Sequence, residues 1–75
     1  MLKDKHNIIS YIETVIQSYG YEYQSISNEI KIYLDNSEVY IIINKSINIY
    51  EYNNQKPHVF SNLEEAIRKL KQIIS

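Results

Sequence analysis

Between Tyr21 and Tyr52 the apolar residues recur at every second position, and on either side of that stretch they recur at every third or fourth. A period of two belongs to a strand with one buried side, and a period near 3.6 to a helix with one buried stripe. The change of period, made twice in 75 residues, restricts the chain to one order of elements: helix, strands, helix.

The first helical stripe is Ile8, Ile12, Val15, Ile16 and Tyr19, flanked by Ile9 and Tyr11, over a segment from about Asp4 to Tyr19. Asp4 has the side chain of an N-cap and Gly20 the freedom of a left-handed terminator. The other side of this helix is Ser10, Glu13, Thr14, Gln17 and Ser18, polar with little charge. Strand patterns then run over residues 21–26, 29–35, 38–44 and 47–52, separated by Ser27-Asn28, Asn36-Ser37 and Asn44-Lys45-Ser46. After Asn53 to Pro57, Ser61-Asn62-Leu63-Glu64 reads as a capping box with Ser61 at the cap. The closing helix carries the stripe Leu63, Ala66, Ile67, Leu70, Ile73 and Ile74, with Glu64–Arg68 and Glu65–Lys69 as outward i,i+4 pairs.

One domain spanning residues 1–75 is all this length allows, and so small a chain buries only about 60% of the surface it exposes when unfolded. No cysteine is present, and His6 and His58 have no thiol company for a structural zinc site. Stability must come from the apolar core, aided by self-association if there is any. The apolar share of 44% is far above that of a disordered chain. Lys3 and Lys5 precede an apolar stretch that Asn7, Ser10, Glu13 and Gln17 interrupt, so a signal peptide is not expected. Nor does any run approach the about 20 apolar residues of a membrane span. The expected location is cytoplasmic.

Hairpin lengths set the expected register. A two-residue turn at Asn36-Ser37 places Ile30 opposite Ile43, Ile32 opposite Ile41, Leu34 opposite Val39 and Tyr33 opposite Tyr40. A turn at Ser27-Asn28 sets Tyr23 opposite Ile32, and a three-residue loop at 44–46 pairs Ile43 with Ile47 and Ile41 with Ile49. These choices gather the aliphatic residues on one face, which both helices must cover. The expected fold is therefore an α+β two-layer sandwich, α-β-β-β-β-α, with an antiparallel meander and both helices on one side. The reverse face would display Tyr33, Tyr40, Ile42, Tyr50 and Tyr52 among Glu22, Glu29, Lys31, Asp35 and Glu38. A one-residue slip at the last turn would instead expose Ile47 and Ile49.

Tyrosines pair well across strands and serve as ordinary sheet formers. Gathered with an isoleucine on an open face, they also resemble an interaction surface, because tyrosine supplies large contact area at low entropic cost. Four carboxylates against one lysine are the reverse of what phosphate binding needs on that face. A larger protein with a basic surface, such as one that handles nucleic acid, suits it better. The net charge of −1 also gives no general attraction to nucleic acid or to anionic lipid.

The sequence holds no glycine-rich phosphate loop, no Gly-x-Ser-x-Gly elbow and no cysteine nucleophile. His58, beside Pro57, reads as a loop histidine rather than a general base, and Glu51 as an inward carboxylate without an evident partner. No enzyme and no cofactor or metal is expected. In style the chain, tiny, cysteine-free and rich in isoleucine and asparagine, is similar to phage and mobile-element proteins that block host defence nucleases, anti-CRISPR proteins among them. That likeness includes no motif and transfers no residue. In outline the order also resembles the α-β-β-β-α double-stranded RNA-binding domains, but Leu63-Glu64-Glu65 puts the wrong charge at the start of the last helix for phosphate. The remaining alternative is a structural homodimer.

Overall fold

The computed structural model describes residues 5–51 and 56–75. Helix α1 (Lys5–Ser18) leads into strands β1 (Glu22–Ile26), β2 (Glu29–Tyr33), β3 (Glu38–Ile43), β4 (Ile47–Tyr50) and β5 (His58–Phe60), and helix α2 (Leu63–Ile74) closes the chain. The strands form one antiparallel sheet in sequence order. The two-layer α+β architecture is as the pattern predicts, with a fifth strand where a loop was expected. Phe60 stands opposite Ile47 and His58 opposite Ile49.

Parity along each strand is the organising fact. Ile30, Ile32, Val39, Ile41, Ile43, Ile47 and Ile49 all point to one side and are buried there. Ile8, Ile12, Val15 and Ile16 from α1 and Ala66, Ile67, Leu70 and Ile74 from α2 meet them in a single core. Tyr19, expected in the α1 stripe, is exposed instead, because the helix has already ended at Ser18.

The register of β2 on β3 differs from the expected one by two residues. Ile30 pairs with Ile41, Ile32 with Val39, Lys31 with Tyr40 and Tyr33 with Glu38. The connection is a four-residue loop, Leu34 to Ser37, closed by the Leu34 N–H donating to the Ser37 carbonyl at 2.9 Å. Asp35 therefore sits in this loop and not on the sheet. A shift of two keeps every side chain that remains in β2 and β3 on its expected face, which is why the sheet's share of the core matches the expectation despite the different pairing. The Ser27-Asn28 turn and the 44–46 loop give the expected partners Tyr23–Ile32, Ile43–Ile47 and Ile41–Ile49.

Both helix ends are chemically specified. At the end of α1, Gly20 has φ +81, its N–H donates to the Gln17 carbonyl, and the Tyr21 N–H donates to that of Ile16, which is a Schellman closure. A Cβ at Gly20 would meet nothing within 4 Å, so Gly20→Ala tests backbone conformation alone. It should lower unfolding stability in urea by about 1–2 kcal/mol, and an unchanged midpoint would refute that account. At α2 the cap is Asn62, not Ser61: its side-chain oxygen accepts from the Glu65 N–H at 3.2 Å. The capping residue lies one position later than expected, with Glu65 at the third helical position. Asp4, expected to cap α1, lies outside the described residues.

Candidate functional site

The face of the sheet turned away from the helices is organised in three rows by the strand register. The first row is Gln24, Lys31, Tyr40 and Tyr50; the second is Ile26, Glu29, Ile42, Asn48 and Val59; the third is Glu22, Tyr33 and Glu38. Of the residues expected here, Glu22, Glu29, Tyr33, Glu38, Tyr40, Ile42 and Tyr50 share this face. Asp35 lies in the loop at its end, and Tyr52 is outside the described residues. Tyr33 meets Glu38 across the strands, and Tyr40 meets Lys31 and Tyr50, in place of the expected Tyr33–Tyr40 pair.

Lys31 is the centre of the first row. Its ammonium lies 5.4 Å from the ring centroids of both Tyr33 and Tyr40 and 3.6 Å from a Glu38 carboxylate oxygen. The Tyr40 hydroxyl donates to the other Glu38 oxygen at 3.0 Å, and the Tyr33 hydroxyl donates to Gln24 at 3.2 Å. The hydrogen bond with Tyr40 and the charge of Glu38 raise the Lys31 pKa above that of an ordinary lysine, against the opposing effect of desolvation. A raised lysine pKa means that this contribution to stability is fully present through neutral pH and is lost only as pH climbs through the raised value. The cation of this face is thus already occupied. Among the described residues Glu22 and Glu29 have no ion pair, so the face presents uncompensated negative charge.

Sequence reasoning found Ile42 but missed the other two apolar members of the second row. Ile26 is 62% exposed and Val59 59%, and with the partly buried Ile42 they give this row three aliphatic side chains. Ile26 was legible, since it follows Glu22 and Gln24 on the same parity. Val59 was not, because its strand was not foreseen. A shallow depression of about 240 Å³ lies beside this row, lined by Gln24, Ile26, Glu29, Lys31 and Tyr40. Asn48 is committed elsewhere: its amide donates to the Ile42 carbonyl at 3.1 Å and braces the β3–β4 turn.

Two other places bring polar groups together or form a concavity. Glu51, at the end of β4, accepts a hydrogen bond from His58 of β5, and Lys69 of α2 lies 4.0 Å from the same carboxylate oxygen. Lys69 therefore pairs with Glu51 rather than with Glu65, while Glu64–Arg68 forms as expected at 3.9 Å. Glu51 joins three elements, and among the described residues no hydroxyl is hydrogen-bonded to it that could serve as nucleophile. The larger concavity, about 530 Å³, lies between the helices against Tyr11, Leu63, Glu64, Ile67, Arg68 and Lys71. Its charged lining is Glu64, Arg68 and Lys71, with Glu64 and Arg68 paired to each other. Size alone does not make it the functional surface.

Among the described residues no group of three His, Cys, Asp or Glu side chains could hold a metal, and no helix is long and apolar enough to cross a membrane. No family model, no curated protein and no solved structure matches the chain.

Proposed function

We propose that the protein is a binding module that docks its helix-free sheet face on a larger protein with a basic surface, as an inhibitor or adaptor. One observation carries the reading: Tyr33, Tyr40, Tyr50, Ile26, Ile42 and Val59 share a face that, among the described residues, no helix covers and that sets carboxylates around a single lysine. Exposed aliphatic and phenolic surface of this kind is what a protein partner desolvates, with the polar groups as rim. Uncompensated Glu22 and Glu29 favour a basic partner, speed its encounter and repel phosphate. They also disfavour two copies meeting face to face, which would set carboxylates against carboxylates. The style of small phage proteins that block defence nucleases fits such a role, since the nucleic-acid groove of a nuclease is basic.

The surface can be tested before the partner is known. A photo-crosslinking residue at Tyr33 should yield a discrete adduct with a basic protein in extract of the source cell, and the same residue at Tyr11, on the helix layer, should not. An adduct only from Tyr11, or tight salt-sensitive binding of duplex RNA to the purified chain, would overturn the proposal.

A further inference from the structure

We infer that β1 is a dimerisation edge: two copies pair through it, antiparallel, into a continuous ten-stranded sheet. β1 is the outermost strand on its side, and it pairs with β2 along its whole length in unbroken register, Glu22 with Tyr33 through Ile26 with Glu29. Natural edges are blunted by lysine, proline or a bulge. The segment Glu22-Tyr23-Gln24-Ser25-Ile26 has none of these. Among the described residues, no backbone hydrogen bond of the turns, loops and caps reaches these five residues.

The hairpin geometry says which groups are free. Across a two-residue turn the flanking residues, Ile26 and Glu29, form a hydrogen-bonded pair, and alternation makes Gln24–Lys31 and Glu22–Tyr33 hydrogen-bonded as well. The N–H and C=O groups of Tyr23 and Ser25 then point away from β2. A second copy related by a two-fold axis through Gln24 brings Tyr23 opposite Ser25 of the other copy, twice. Both pairs have their main-chain groups facing outward, so four N–H···O=C bonds form about the axis.

The side chains agree with that register. Glu22 falls opposite Ile26 of the other copy and not opposite another carboxylate, so no like charges meet directly. Gln24 meets Gln24, two amides that each donate and accept. The neighbouring flank of α1 is also unusually neutral: Ser10, Thr14 and Gln17 lie in line, Gln17 donates to the Tyr23 hydroxyl at 2.7 Å, and Glu13 is the one charge between them. A second copy of this same edge therefore fits better than a charged partner strand. The axis runs perpendicular to the sheet, so both acidic faces lie on the same side. The dimer stands or falls separately from the proposed docking of that face.

Sedimentation of the full chain over a wide concentration range tests this, with circular dichroism as the check on folding. The wild-type mass should rise from 9.0 kDa toward twice that value. Ser25→Pro removes an outward N–H that β2 does not use, and Gln24→Lys sets two ammonium groups against each other at the axis. Each should raise the dimer dissociation constant at least tenfold with the fold retained, and Gln24→Lys covers the case in which the proline variant does not fold. A wild-type chain that stays monomeric throughout would overturn the inference. So would dimers that survive Gln24→Lys unchanged, or that are lost in Tyr40→Ala/Tyr50→Ala but kept in Ser25→Pro.

Discussion

Ile41→Ala should lower the melting point of the chain by more than about 15 °C while its matched surface control, Ile26→Ala, hardly moves it. Ile41 is fully buried in β3, the middle strand of five, with Ile30 opposite on one side and Ile49 on the other. Replacing a buried isoleucine by alanine removes three carbons and leaves a cavity, a loss of about 2–5 kcal/mol, and a central site that cannot collapse belongs near the top of that range. A domain of this length has about 4–11 kcal/mol of stability in all, from the usual per-residue values. At about 4–8 °C per kcal/mol for a chain of this size, the melting point should fall by more than about 15 °C. Ile26→Ala is the matched control, because Ile26 is an isoleucine of the same sheet on the uncovered face and should change stability by about 0.5 kcal/mol or less. Similar melting points for the two variants would mean that the helices do not cover the face to which Ile41 points.

That contrast shows why so much of the fold was legible. An alternation of period two specifies which residues share a face, and faces are what the core and the open surface depend on. It does not specify pairing. The four residues Leu34 to Ser37 could as well have been two, and only the closure between Leu34 and Ser37 moves Lys31, rather than Tyr33, into the place opposite Tyr40. The consequence is local but chemical: a tyrosine pair becomes a lysine held between two rings and a carboxylate. β5 was invisible for a different reason. Three residues after a proline carry no measurable period, and they become a strand by pairing with β4. Glu51 looked unpartnered because both of its partners, His58 and Lys69, lie beyond the β4–β5 connection. The α2 cap failed by one residue, since both Ser61 and Asn62 can cap and both are followed three positions later by a glutamate.

The second large effect expected is on association. Tyr40→Ala/Tyr50→Ala should weaken partner binding by about a hundredfold or more while leaving the far-ultraviolet circular dichroism unchanged. The two rings are directly opposite on adjacent strands near the middle of the open face, where an interface concentrates its energy, and truncating an anchoring tyrosine there costs about 2 kcal/mol or more. Two such losses need only be partly additive to exceed about 2.7 kcal/mol, which is a hundredfold. The cost to the fold is smaller. Neither ring belongs to the core, and a cross-strand aromatic pair is worth about 1 kcal/mol or less. Loss of Tyr40 also releases Lys31 and Glu38 from their shared contact, so part of the effect will come from charges that are no longer held in place. Glu29→Lys separates the two contributions: it leaves the rings alone and reverses an unpaired charge in the next row. If the partner is basic, this variant should bind more slowly, with the difference shrinking as salt is added. Retention of full affinity by the double tyrosine variant, with its fold intact, would remove the open face from consideration as the docking surface.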